Sequence, residues 1–177
     1  MIVPSTRLFT AGEVETGAYL NSAVTNLGNF MLGKPIAQLT SIATTSITAG
    51  TTGVAIPFAS ENIDRDNGHS TTVNTSYYTA QTAGWYYVQG SASFASTAAT
   101  SRGTALKVNG TTIVAGSTSS IGIANAGFVS SSSALVYLNV GDYIELWGYA
   151  IGTTTALAAP ALGSVQTAVM NVVWVSS

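Results

Sequence analysis

Cysteine is absent from the 177 residues, so no disulfide framework can hold this chain together and no thiolate can bind a metal. Charge is almost as scarce. Asp, Glu, Lys and Arg make up 7% of the chain, against about 25% in an ordinary soluble domain. A monomer with so few charges has little to keep it soluble, whereas a subunit that hides much of its outside against neighbours needs few. The deficit therefore points to an assembly. The five basic residues, Arg7, Lys34, Arg65, Arg102 and Lys107, are scattered, and without a cluster of cations to displace phosphate counterions no nucleic-acid partner is expected. No apolar run reaches the roughly 18 to 20 residues that span a bilayer, which argues against membrane insertion. The opening stretch from Met1 to Arg7 has neither the basic start nor the apolar core of a secretory signal, so synthesis in the cytosol is expected.

What is present is apolar and neutral polar. Hydrophobic residues reach 46% and mean hydropathy is +0.36; the remainder is rich in Ser, Thr, Asn and Gly, residues of strands, turns and close-packed interfaces. The chain is long enough for one core. From Thr16 to Leu32 the residues Leu20, Ala23, Val24, Leu27, Phe30 and Met31 recur at three- and four-residue spacing, which predicts one short helix with Thr16 as N-cap and Gly33-Lys34-Pro35 as its stop. Such a helix is marginal alone, so its stripe must dock, and in a three-fold assembly its own copies are the obvious partners.

Beyond Pro35 the period changes to two and turn residues appear at regular intervals, the pattern of an antiparallel sandwich. Strands are expected near residues 37–48, 54–58, 69–72, 84–95, 104–108, 112–114, 127–138, 143–150 and 165–175. Asn109-Gly110 is a strong hairpin signal, because both residues tolerate the positive φ of a type I′ turn. The Ser/Thr-rich stretches 96–101, 117–120 and 152–155 read as loops. The expected division is an arm and helix over 1–35, attaching the protein to a larger particle, and a sandwich over 36–177.

Glu61, Asp64, Asp66 and His69 form the one concentration of ionisable groups. Asp64-Arg65-Asp66-Asn67-Gly68 superficially resembles a calcium loop but lacks the EF-hand spacing and its twelfth-position Glu. A zinc or acid/base site would need a second His or a Cys, and the chain has one His and no Cys. The alternative is a turn, with Asp and Asn accepting local backbone hydrogen bonds and Gly68 supplying positive φ. No G-x-S-x-G elbow accompanies His69, and no G-x-x-x-x-G-K loop occurs. Asp142, after Gly141, and Glu145, on an alternating strand, read as structural rather than as a glycosidase pair. Neither an enzyme nor a cofactor is expected.

The segment from Tyr78 to Phe94, centred on Gly84-Trp85-Tyr86-Tyr87-Val88, resembles the central strand of complement-type and tumour-necrosis-factor-like jelly rolls. Leu106-Lys107-Val108-Asn109-Gly110 is similar to their next hairpin, and Val136 to Leu146, with Gly141-Asp142, to a later strand pair. Arg7 to Val24, containing Phe9-Thr10-Ala11-Gly12-Glu13 and Leu20-Asn21-Ser22, together with Phe58 to His69, resembles actinobacterial-phage virion proteins of the minor tail type. The resemblance implies a jelly-roll sandwich preceded by a short arm and helix, a homotrimer displayed on a virion, and other head or tail proteins as partners. It also implies association through aromatic and aliphatic faces of one sheet, which makes Tyr87, Phe94, Tyr137, Tyr143 and Trp147 candidates for interface or core. Phe9, Leu20, Val24, Leu27 and Phe30 are the anchoring candidates. Trp85 is the candidate for stacking on a host surface glycan, the function of the rival reading, an adhesin; core packing explains it more cheaply.

Overall fold

The computed structural model describes residues 16–96, 101–119, 127–160 and 165–177; Phe9 lies outside them. Helix α1 runs over Gly17–Leu32. It opens where expected, with the Leu20 amide donating to the Thr16 carbonyl, and closes with the Gly33 amide donating to the Asn29 carbonyl. No helix among the described residues is long and apolar enough to cross a membrane.

Twelve strands follow: β1 Ile36–Ser41, β2 Ser46–Ile47, β3 Gly50–Ala55, β4 Ser60–Asp64, β5 Tyr77–Thr79, β6 Gly84–Phe94, β7 Ser101–Val108, β8 Thr112–Ser119, β9 Phe128–Leu138, β10 Tyr143–Ile151, β11 Thr155–Ala156 and β12 Ala168–Ser176. A five-stranded sheet has the order β4-β1-β12-β6-β9 and a four-stranded sheet the order β5-β10-β7-β8, with β2 and β11 forming a small ribbon. All pairings within the two large sheets are antiparallel. The expected antiparallel jelly-roll sandwich is what the chain forms.

The core lies between the sheets. In β6 the alternation sends Tyr86, Val88, Ala92 and Phe94 inward, where all are buried, and Trp85 and Tyr87 outward. They meet Leu106, Ile144 and Leu146 of the facing sheet, with Phe58, Leu39, Leu138, Met170 and Val172 completing the cluster. The sheets come so close at Gly90 that a Cβ there would lie 2.5 Å from Leu146 Cδ1. One end of the interior is polar: the Thr104 and Ser130 hydroxyls are 3.0 Å apart, and Ser132 Oγ donates to the Thr104 carbonyl at 3.0 Å. The hydroxyls of Thr104, Ser130 and Ser132 thus each have a partner, which is why a run of serines can enter the core at all.

Several expectations change. The stretch 69–72 is not a strand; β4 at Ser60–Asp64 and β5 at Tyr77–Thr79 flank it. The sequence Ser-Glu-Asn-Ile-Asp looks unlike a strand because β4 is a solvated edge whose backbone pairing with β1, not its side chains, makes it one. The expected strand over 37–48 breaks into β1 and β2, and Ser117 to Ser119 belong to β8 rather than to a loop. Asn109 and Gly110 do take positive φ, 52° and 70°.

Candidate functional site

The outward face of the five-stranded sheet carries a cluster of exposed aromatic and aliphatic side chains. Register fixes which side chains share it. Trp85 lies opposite Tyr137 and Tyr87 opposite Leu135 on β9, while Val173 lies opposite both Tyr87 on β6 and Ile36 on β1. Trp85, Tyr87, Leu135 and Tyr137 keep 41, 46, 60 and 46% of their surface exposed. Val173 and Val175 extend the patch along β12. The Trp85 and Tyr137 rings meet edge to face, 5.6 Å between centroids at 80°, a favourable arrangement that also holds both rings rigid in place. Contiguous exposed aromatic and aliphatic surface of this kind marks an interaction site.

Next to the apolar end runs a row of amides. Asn62 Nδ2 donates to Gln38 Oε1 at 2.6 Å, Gln38 Nε2 to Asn171 Oδ1 at 2.7 Å, and Asn171 Nδ2 to Gln89 Oε1 at 2.8 Å. The ladder crosses four strands, β4, β1, β12 and β6, and ends opposite Ser133 on β9. Beyond it the face is small and hydroxylated: Thr40, Ser91 and Ser131 lie in one row with Val169. The face therefore has an apolar end, at the side of the sheet where α1 joins, and a neutral polar end.

The five aromatic candidates separate onto different surfaces. Tyr87 and Tyr137 are on the outward face; Phe94 is in the core; Tyr143 and Trp147 are half-buried on the far side of the other sheet. There Tyr143 stacks on Tyr77 at 4.4 Å. Trp147 underlies Lys107, whose Nζ stands 3.5 Å from the ring centre, and its Nε1 donates to Glu145 Oε2 at 3.0 Å. The cation–π seat explains how Lys107 tolerates being 8% exposed. Of the anchoring candidates, Leu20, Val24 and Leu27 are exposed along α1, whereas Phe30 is buried against Trp174, 5.1 Å between ring centroids. Leu135, Val173 and Val175 escaped the sequence reading: their strands alternate, but both alternating sets are apolar, so nothing marked which was outward.

The ionisable cluster is a braced turn. Asp64 accepts from the Gly68 amide at 3.2 Å and the His69 amide at 2.8 Å. His69 spans two strands' worth of backbone, with Nδ1 3.0 Å from the Tyr77 carbonyl and Nε2 3.1 Å from that of Phe58. Positive φ falls on Asn67, at 54°, not on Gly68; Gly68 is required for space, since a Cβ there would run into the Tyr78 ring. Arg65 reaches out of the turn and donates to the Leu32 carbonyl at 2.7 Å. Asp66 accepts from Tyr78 Oη at 2.7 Å. Among the described residues no group of three or more His, Asp or Glu is gathered as metal ligands would be. A polar hollow of about 290 Å³ opens beside the turn, lined by residues that include Asn67, His69, Ser70, Asn74, Tyr77 and Gln81.

Burial raises the Asp66 carboxyl above its ordinary value of 3.8. Burial, followed by the nearby Asp66 charge, pushes the Tyr86 hydroxyl up to about 12. Because its folded pKa is raised, Asp66 favours the folded state most below pH 3.8, and that contribution falls as pH rises through the folded value. Asp142 works in the opposite sense. Hydrogen bonds from the Asn109 side chain and then the Asn139 amide lower its pKa, so it stabilises above 3.8 and loses that contribution as pH falls through the lowered value. Asp66→Asn, which keeps an acceptor for Tyr78 but no charge, is expected to melt higher than the parent at neutral pH, with the difference vanishing near pH 3. Thermal scans across that range check it; a difference independent of pH would contradict it.

No protein-family model matches the chain, and no curated protein matches it by sequence. Solved structures do match by shape, and the jelly-roll fold of this chain is similar to that of complement- and tumour-necrosis-factor-type domains. The globular domain of zebrafish complement 1qA protein aligns with a TM-score of 0.54 at 18% identity, over 80% of this chain and 98% of that one. Murine APRIL at pH 8.0 gives 0.56 at 15% identity over 78% and 98%, and at pH 5.0 it gives 0.57 at 14% over 79% and 98%. At these identities the likeness is one of fold.

Proposed function

We propose that the chain is a non-enzymatic structural subunit that forms a homotrimer through the apolar end of its outward sheet face and is displayed on the surface of a bacteriophage particle, as a decoration, fibre or minor tail component. The observation that carries the self-association is the exposed patch of Trp85, Tyr87, Leu135, Tyr137, Val173 and Val175 on one rigid sheet. The complement- and tumour-necrosis-factor-like fold supports it, as does a sequence with 7% charged residues. The virion setting rests on the resemblance of Arg7 to Val24 and Phe58 to His69 to phage proteins, and the segment 1–35 is the part assigned to particle attachment.

A second reading, a glycan-binding adhesin, is favoured by the polar hollow beside His69 and by the exposed Trp85 indole. The two readings use Trp85 differently. In the trimer it is covered; in the adhesin it must stay open. Light scattering at micromolar concentration is expected to give three times the 18.0 kDa chain mass, with a melting temperature that rises with concentration, as mass action requires. Trp85→Ala is expected to weaken the trimer and lower that temperature. A concentration-independent 18.0 kDa monomer overturns the trimer, and loss of glycan-array binding in a Trp85→Ala variant that remains trimeric favours the adhesin. Imaging of labelled particles tests the virion assignment.

A further inference from the structure

Among the described residues, helix α1 has an apolar stripe that nothing covers. Leu20, Val24, Leu27 and Met31 step by four, three and four residues, the spacing of a heptad, and are 55, 64, 53 and 63% exposed. At 3.6 residues per turn they fall within about 60° of the helix circumference, a narrow seam of the coiled-coil kind rather than the broad face with which a helix covers a globular core. Ser22, Thr25 and Asn29 occupy the opposite side. From Thr16 to Asn29 every residue whose burial is described is exposed, apart from partly covered Gly28.

Among the described residues, only the last turn is fastened to the sandwich. Phe30, on the flank of the seam, packs edge-on against Trp174; Lys34 Nζ lies 5.6 Å from the same ring; Arg65 holds the Leu32 carbonyl; and the Trp174 amide donates to the Pro35 carbonyl at 3.0 Å. The clamp turns the stripe away from its own sandwich. A helix of 16 residues is marginal in water even with good formers, and this one contains Gly28, Thr25 and Val24, which are poor ones.

We propose that α1 packs against the same helix of two further copies, as a parallel three-stranded coil that continues the sheet-borne trimer. The proposal rests on the trimer reading and adds a second interface to it; it takes Leu20, Val24 and Leu27 into that interface and so leaves particle attachment to the rest of the segment 1–35. Three observations select copies of this chain as the occupant. The clamp is on Trp174, flanked along β12 by Val173 and Val175 and paired in register with Tyr86, beside Trp85, so the seam begins at the end of the sheet that carries the apolar patch. No residue of Gly17–Leu32 is charged, so copies do not repel one another. Lacking flanking charges to choose between parallel and antiparallel pairing, the helices need their orientation imposed, and the clamp to a three-fold sandwich supplies it.

The absence of native cysteine allows single-thiol variants to report the arrangement. In the full-length protein, Val24→Cys and Leu27→Cys put three equivalent thiols around the axis, whereas Thr25→Cys points them outward. With a short bis-maleimide reagent, which joins two thiols, the two seam variants are expected to give covalent dimers at least about tenfold faster than Thr25→Cys. Melting curves matching the parent exclude misfolding, and two seam positions guard against a local effect at either one. A trimer by light scattering in which all three variants cross-link at the same rate overturns the coil while leaving the sheet interface standing, and shows that the stripe serves another partner. A monomer by light scattering overturns both.

Discussion

Leu135→Glu is expected to convert the proposed trimer into a folded monomer. Leu135 is 60% exposed in the single chain and sits beside Tyr87 in register at the centre of the apolar patch. Within one subunit the substitution changes a solvent-facing residue of β9, so the sandwich itself loses little, on the order of 0.5 kcal/mol. In the trimer it would place three carboxylates against aromatic and aliphatic surface with no cation in the face to pair them, and an unpaired buried charge costs about 3 to 5 kcal/mol. Burial of roughly 500 Å² of apolar area per subunit is worth about 12 kcal/mol before the entropy of association, which cancels much of it. Several kcal/mol of repulsion per copy exceeds what remains. The readout is light scattering with circular dichroism: native β signal, 18.0 kDa mass, and a lower melting temperature with no dependence on concentration. A variant that stays trimeric at parental melting temperature would place the interface elsewhere.

The second large effect comes from one methyl group. Gly68→Ala is expected to cost about 3 kcal/mol, in the range of core overpacking, because the added carbon has nowhere to go. It would meet the Tyr78 ring on one side and the Thr79 carbonyl oxygen, at 2.7 Å, on the other. Tyr78 cannot swing aside, since it is fully buried and its hydroxyl is held by Asp66. The Thr79 backbone cannot yield easily either, since its amide donates to the Gly68 carbonyl at 2.7 Å. For a chain of this size the change corresponds to a fall of roughly 6 to 12 °C in melting temperature. Gly28→Ala is the comparison: nothing lies within 4 Å of a Cβ there, and the expected change is under about 1 kcal/mol, in the stabilising direction. Differential scanning calorimetry of the two variants decides it, and equal melting temperatures would refute the steric account.

The contrast between these two sites shows what could be read from the sequence. Turn chemistry is local, so Asn109-Gly110 announced its hairpin, and the Thr16 to Pro35 punctuation bounded α1 within a residue or so. The long strands β6, β9 and β10 were legible for the same reason, being runs of alternation between such signals. What failed was anything decided by the partner sheet. Tyr86 and Tyr87 are adjacent tyrosines, one fully buried and the other 46% exposed, and only the stacking of the second sheet on one side distinguishes them. Phe94 and Trp147 were read as equals, yet one is core and the other a seat for Lys107. At Gly68 the sequence suggested a glycine for its backbone freedom, whereas the reason is a tyrosine ten residues away that folds back over it. Composition indicated that some surface had to be hidden; it carried no information about which.

Along β1, β12, β6 and β9 the outward side chains are aliphatic, aromatic, amide or hydroxyl, and none is ionisable in the physiological range. Screening by dissolved ions acts only on charges, so contact made through this face has no Coulombic part for salt to weaken, while the apolar part is strengthened by excluded salts such as sulfate. Moderate changes in acidity likewise find nothing there to protonate. A joint built this way keeps its strength whether the surroundings are dilute fresh water or a concentrated cytoplasm, a tolerance that a salt-bridged joint of the same area would lack.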